Sequence, residues 1–291
     1  MLEKSLSSAS DMIIYDLEDS VAPSPTDKKN ARNRLAHFLT RKDMPDPHRV
    51  AVRVNDISTE FFKEDISDIV ALPAVRSLVL PKIHSAENLH YVSQAIYNAS
   101  KRASRDTVLN IIPSIESARA SWNLGAIAGW KSAHGSASGG HLTALLFAAE
   151  DYCADTSIIR TRSRLELLYT RSQIVITAKA FGLEAIDMVC VNYKDIVYLK
   201  DECIDGRQLG FTGKQAIHPA QVEVIQSTFL PTSQEVLRAA KILHGMRAAH
   251  AAARGAVGFE GEMIDAPMLK QAEKIIAIAK AAGLEIPSIS S

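Results

Sequence analysis

The chain has 291 residues, with 33 basic against 33 acidic side chains and no formal net charge. Hydrophobic residues make up 47% and aromatics only 6%, material for one large core or two modest ones. Balanced charge gives no electrostatic footprint for nucleic acid, and no apolar run approaches the roughly 20 residues that span a bilayer, so neither nucleic acid nor membrane is expected as a partner.

Short apolar runs alternate with longer amphipathic stretches. The runs predict strands at Met12–Asp16, Arg49–Val54, Ser77–Leu80, Val108–Pro113, Ala144–Ala148, Ile186–Val191 and Gly213–Ile217. They are continuously apolar rather than alternating, as parallel strands buried on both faces are. Helical spacing marks Thr26–Leu39, with Ala31, Leu35 and Phe38 on one side and lysines and arginines opposite, and Arg160–Phe181. The patch Gly135–Gly140 reads as a mobile loop. Beyond the seventh strand come Pro219–Phe229, a helix over Ser233–Arg254, a link at Gly255–Met263 and a last helix at Ala266–Ala282. This tail reads as a lid or swapped arm.

Seven strand–helix repeats specify an α/β protein with a parallel sheet. No GxGxxG follows the first strand, which weakens a dinucleotide-binding open sheet. Charged residues also gather after the strands: Asp16, Glu18, Asp19, Arg53, Lys82, Glu116, Glu150 and Asp151. Convergence of such groups at the C-terminal strand ends is the pattern of a (β/α) barrel mouth.

Glu116 and Asp151 follow neighbouring strands. Two carboxylates with water suit Mg²⁺, although acids at these positions are equally ordinary at helix N-termini. Arg53 is placed to bind a carboxylate or an enolate oxygen, or to form an ion pair with Asp16 or Glu18. Asp16, Glu18 and Asp19 either orient Arg53, hold metal-bound water or cap a helix. Gly213-Lys214 lacks the remainder of a phosphate loop, since Gln208 and Gln215 stand where glycine and a hydroxyl are needed. A late strand-end turn near a substrate phosphate stays open. His218, without a second histidine at ligand spacing, reads as a turn residue. Cys153, Cys190 and Cys203 show no paired spacing and read as buried packing residues of a reducing compartment. Asp265, before Pro267, reads as a helix cap.

The segments YDLEDSV (Tyr15–Val21), Arg53-Val-Asn55, LPKI (Leu80–Ile83), IESARA (Ile115–Ala120), EDYCAD (Glu150–Asp155), GFTGKQAIHP (Gly210–Pro219) and GEMIDAPMLKQAE (Gly261–Glu273) run through nearly the whole chain. Together they resemble the citrate lyase β-subunit-like, citramalyl-CoA lyase branch of the HpcH/HpaI aldolase superfamily. The resemblance implies a (β/α)₈ TIM barrel spanning 1–230 and a C-terminal helical lid or oligomerisation segment over 231–291, often in a homotrimer. It implies Mg²⁺ on Glu116 and Asp151, Arg53 on an acyl or enolate oxygen, and Asp265 as a catalytic acid or base delivered in trans. Asp16, Glu18 and Asp19 would stand behind Arg53, and Lys4 would lie near coenzyme A.

The implied reaction is carbon–carbon cleavage of a 3-hydroxyacyl-CoA such as citramalyl-CoA to acetyl-CoA and a 2-oxo acid. A malyl-CoA lyase, a malate-synthase-like activity and an inactive truncated paralogue acting as a subunit are the alternatives. The chain begins without the family's first strand, so the expected barrel is N-terminally short. No targeting signal is read, leaving a mitochondrial or cytoplasmic location.

Overall fold

The computed structural model describes residues 2–251, 255–259 and 261–289. They form two compact units, 1–225 and 226–291, divided inside a helix at Val222–Phe229.

The first unit holds all seven predicted strands. They are β1 (Ile13–Asp16), β2 (Val50–Arg53), β3 (Ser77–Leu80), β4 (Asn110–Ile115), β6 (Ala144–Phe147), β7 (Glu184–Asp187) and β8 (Gly213–Lys214), paired in parallel in that order. A two-residue strand, β5 (His141–Leu142), adds to β4 ahead of β6. Among the described residues no pairing joins β8 to β1, and the sheet is a curled half-barrel. Its apolar interior is lined by Ala51, Val79, Ile112, Ala144 and Leu146, with Ala148 and Ile186 against them. Burying an Ile or Leu there contributes about 1.5–3 kcal/mol each. The small residues leave room for the curvature.

Helix Pro25–Leu39 begins where expected. The Ser24 hydroxyl accepts from the Asp27 amide, and Pro25 occupies the first turn. Its polar side differs from the expectation, because Lys28 and Arg32 are buried. Arg32 donates to Asp65 at 3.0 Å and Asp68 at 2.9 Å and pairs with Glu64. A neighbouring helix supplies acids, so this face points inward.

Three other expectations need correction. Arg160–Phe181 is not one helix: the helix starts at Leu168, after a single 3₁₀ turn at Leu165–Leu167. Ion pairs of Arg160 with Glu202, Arg162 with Asp195 and Arg164 with Asp201 hold the preceding stretch in an irregular path. Gly135–Gly140 is no open loop. Its Ser136–Gly139 segment is a short helix. A Cβ on Gly139 would meet the Ser132 and Ser93 hydroxyls at 2.0 and 2.6 Å, so this glycine serves close packing. Strand β7 starts at Glu184, earlier than predicted, because Glu184 N donates to Thr143 O.

The second unit pairs helix Ser233–Ala251 with helix Ala266–Ala281 around Val236, Ala239, Met246, Ile264, Ala272 and Ile276. The predicted link between them is instead an antiparallel hairpin, β9 (Val257–Phe259) with β10 (Glu262–Ile264). Arg254, the predicted end of the first of these helices, lies outside the described residues.

Candidate active site

Parallel pairing aligns the strand ends and sets the site. Asp16 and Arg53 are register partners at the ends of β1 and β2. Arg53 Nε donates to Asp16 Oδ1 at 2.8 Å and Nη2 to Oδ2 at 2.7 Å. Its remaining terminal nitrogen, Nη1, lies 3.0 Å from Glu18 and 3.3 Å from Asp19. The three acids proposed to orient Arg53 therefore all surround it, and its side chain keeps 27% exposure toward the mouth.

Asp16 also closes the turn that carries Glu18, accepting from Glu18 N at 2.9 Å and from Ser20 N and Oγ at 3.0 and 2.6 Å. Burial pushes its carboxyl up, but the Arg53 hydrogen bonds and charge, with those of Ser20 and Glu18, outweigh this and hold it at about 2.

A buried ammonium fastens the same turn from below. Lys28 Nζ donates to the carbonyls of Leu17 and Glu18, each at 2.7 Å. Asn55 Nδ2 adds a bond to Leu17 O at 3.0 Å and one to Asp65 at 2.6 Å. Asp65, fully buried, also accepts from Asn55 N and Arg32. Lys28 and Asp65 were missed by the sequence reading. A lysine in a helix whose neighbours are polar carries no burial signal.

Glu116 follows β4 by one residue and is 5% exposed. One of its oxygens accepts from the backbone N–H of Lys82, just beyond β3. Burial, with the charges of Asp151 and Glu18, exceeds the hydrogen bonds from Ser114 and Lys82 and raises its carboxyl to about 7. Asp151 sits exposed in the first turn of helix Ala149–Thr156, after β6, the strand beside β4.

Glu116 and Asp151 follow the neighbouring strands β4 and β6, and the charge of Asp151 adds to the burial that raises Glu116. An oxygen-only pair with open positions fits Mg²⁺, which keeps water or substrate oxygens in its shell. Glu150 is turned away onto Arg160, and Asp155 accepts from Ala118 N at 2.7 Å. Among the described residues no cluster of three or more His, Cys, Asp or Glu groups forms a complete cage.

Lys82, one of the charged residues read after the strands, takes a backbone conformation that the sequence did not show. Its φ of +51° is the left-handed conformation, which costs a side-chain-bearing residue about 1–2 kcal/mol. Strain of this kind concentrates at working sites. Its ammonium lies 3.1 Å from Glu18 Oε1. The Pro81-Lys82 position was visible in the sequence, but its backbone conformation was not.

Lys214 does not meet a phosphate. Its ammonium is buried, donating to Met188 O at 2.7 Å and lying 3.1 Å from Glu202. Arg171 clamps Asp187 beside it with bonds of 3.1 and 2.8 Å. His218 fills its expected turn role, accepting from Ala220 N through Nδ1. Cys190 and Cys203 are buried, but Cys153 is partly exposed.

Lys4 is exposed on helix Leu2–Ser5, which is tied down by Ser5 to Tyr15 at 2.8 Å and by a Glu3–Arg41 ion pair. Asp265 belongs to the second unit, exposed at the start of helix Ala266–Ala281. It occupies the N-cap position, as expected, with Pro267 in the first turn, but its side chain makes no capping hydrogen bond.

A family model described as HpcH/HpaI aldolase/citrate lyase matches residues 1–219. The chain is 34% identical over 272 residues to the mitochondrial citramalyl-CoA lyase of Homo sapiens, covering 92% of this chain and 78% of that one. It is 31% identical to the citrate lyase β subunit of Leuconostoc mesenteroides, covering 93% and 86%. Among solved structures, CitE of Mycobacterium tuberculosis in complex with magnesium, acetoacetate and coenzyme A is similar with a TM-score of 0.72 at 28% identity, covering 93% and 90%. A Burkholderia xenovorans citrate lyase has a TM-score of 0.82 at 19% identity, a likeness of fold, covering 95% and 86%.

Proposed function

The chain belongs to the HpcH/HpaI aldolase/citrate lyase family, and from that premise we propose that it is a Mg²⁺-dependent carbon–carbon lyase acting on a coenzyme A thioester. Its substrate in this reading is a 3-hydroxyacyl-CoA of the citramalyl-CoA type, cleaved to acetyl-CoA and a 2-oxo acid. The observation that carries the proposal is the placement of Glu116 and Asp151 after the neighbouring strands β4 and β6, with a braced Arg53 at the end of β2. The human relative is a citramalyl-CoA lyase and the CitE structure holds magnesium and coenzyme A, which supports this substrate class and cofactor.

Glu116 and Asp151 would hold the ion. When bound, it supplies Lewis acidity toward a hydroxy acid's oxygens and a template that orients them. Asp16 fixes the guanidinium plane of Arg53, so that its exposed edge meets the negative charge developing on the thioester oxygen without reorganising. In the cleavage the substrate hydroxyl loses its proton, its oxygen becomes a keto group, and the adjacent carbon–carbon bond breaks. The electron pair passes to the acetyl-CoA enolate, whose carbon then takes a proton.

Asp265 is assigned these proton transfers, delivered in trans within a homotrimer, and Lys4 is assigned to coenzyme A. A lyase of this kind works on a soluble thioester, and no described helix is long and apolar enough to cross a membrane. The human relative is mitochondrial, which supports the same compartment here.

The test is a substrate panel with the purified chain and Mg²⁺. Citramalyl-CoA is expected to release acetyl-CoA faster than malyl-CoA does. Condensation of acetyl-CoA with glyoxylate, followed by thioester hydrolysis, would contradict the assignment in favour of a synthase.

A further inference from the structure

Lys82 meets two of the acids at the mouth by different parts of itself. Its backbone N–H donates to Glu116, and its ammonium stands 3.1 Å from Glu18 Oε1. The opposite oxygen of Glu18 lies 3.0 Å from Arg53. Glu18 is therefore held between two cations, and its side chain is 9% exposed.

Glu18 is also close enough for its charge to act on Glu116. Three acids, Glu18, Glu116 and Asp151, consequently share one field, yet only two are free of a cationic side chain. A divalent ion entering between Glu116 and Asp151 attracts the third carboxylate as well, and that attraction would pull Glu18 from Arg53. The bond to the Lys82 ammonium opposes it.

Resting on the function proposed above, we propose that Lys82 is a positioning residue with two separable duties. The left-handed backbone aims its N–H at one edge of Glu116, leaving the other edge for the cation. The ammonium keeps Glu18 on Arg53 and out of the ion's coordination shell. Lys82 thereby trades metal affinity for an Arg53 that stays correctly braced.

This role predicts opposite changes in affinity and turnover, which general damage to the site would not produce. Lys82→Gly suits the test, because glycine adopts φ of +51° without strain and retains the N–H. The full-length protein, stripped of metal with a chelator and shown folded by its melting curve, is titrated with Mg²⁺ by calorimetry and with Mn²⁺ by electron paramagnetic resonance.

Lys82→Gly is expected to bind both ions about tenfold more tightly, through lost repulsion and a released Glu18, while kcat falls. Lys82→Arg, which keeps the charge, is expected to restore the wild-type affinity. The double variant Lys82→Gly/Glu18→Gln has the same local net charge as the wild type and is expected to return near its affinity. Unchanged or weaker binding in Lys82→Gly overturns the assignment, as does a gain that persists in the double variant. Absence of Mg²⁺ binding by the folded wild type would instead overturn the metal site itself, and this role with it.

Discussion

Asp16 and Arg53 are register partners on adjacent parallel strands, and they meet through two side-chain hydrogen bonds of 2.8 and 2.7 Å. Parallel pairing places both at the same strand level, so the fork of the guanidinium and that of the carboxylate come together without a long loop. Arg53→Lys keeps a positive charge but loses this fork. It is expected to reduce kcat/KM by about a hundredfold or more, with little change in Mg²⁺ affinity measured by calorimetry. Equal loss of both would contradict a role confined to the substrate oxygen.

The same pair gives the protein an acid limit. The Arg53 bonds hold Asp16 at about 2 in the folded chain, below the ordinary aspartate value of 3.8. A depressed carboxylate contributes stability above its unfolded pKa and loses it as pH falls through its folded pKa. That depression is worth roughly 2 kcal/mol, lost between about pH 4 and pH 2. Urea unfolding of the wild type and of Asp16→Asn over that range is expected to converge as pH drops. A constant difference would contradict the linkage.

Glu116 carries an energetic cost of burial that the proposed metal role would explain. Burial and two like charges raise it to about 7, so at pH 8 the metal-free protein holds an ionised, buried carboxylate. Glu116→Gln is expected to melt at a higher temperature than the wild type in chelator at pH 8, and to lose the rise that Mg²⁺ gives the wild type. A lower melting temperature in chelator would show that the carboxylate is needed for packing rather than for the ion.

Gly206 packs against the buried ion-pair network behind β7. A Cβ there would stand 2.6 Å from Asp187 Oδ2 and 3.4 Å from Arg171 Nη2. Displacing Asp187 breaks its paired bonds to Arg171, so Gly206→Ala is expected to cost about 3–5 kcal/mol in denaturant unfolding. A loss below about 1 kcal/mol would mean that the helix simply shifts outward.

The strands were legible because parallel strands buried on both faces leave continuous apolar runs, and Ser77–Leu80 matched to the residue. Arg53, Glu116 and Asp151 were legible because their strands end in charge. The resemblance supplied the roles proposed for them, since spacing alone left both carboxylates as ordinary helix acids.

What escaped depends on distant partners. Arg32 looks solvent-facing until Asp65, 33 residues on, is seen to bury it. Lys82 reads as a polar residue after a strand, and neither its positive φ nor its backbone bond to Glu116 leaves a mark on that pattern. Gly139 and Gly140 looked flexible, yet a Cβ on Gly140 would lie 2.5 Å from Ile111 Cδ1. The β9–β10 hairpin carries no Asn-Gly or Asp-Gly turn signal.

The assignment of Asp265 is separable from that of the metal pair. Asp265→Asn is expected to retain Mg²⁺ binding and lose turnover, whereas Glu116→Ala loses both. In the proposed trans arrangement, mixed oligomers of the two variants regain activity that neither has alone. No recovery in oligomers shown by mass to be mixed would contradict the shared site.

The most direct measurement follows acetyl-CoA and pyruvate together after adding citramalyl-CoA to the purified chain with Mg²⁺. The account predicts equimolar release of both, abolished by chelator, restored by added Mg²⁺ and absent in Glu116→Ala. A folded, Mg²⁺-loaded chain that leaves citramalyl-CoA intact, or releases acetyl-CoA without the 2-oxo acid, would contradict it.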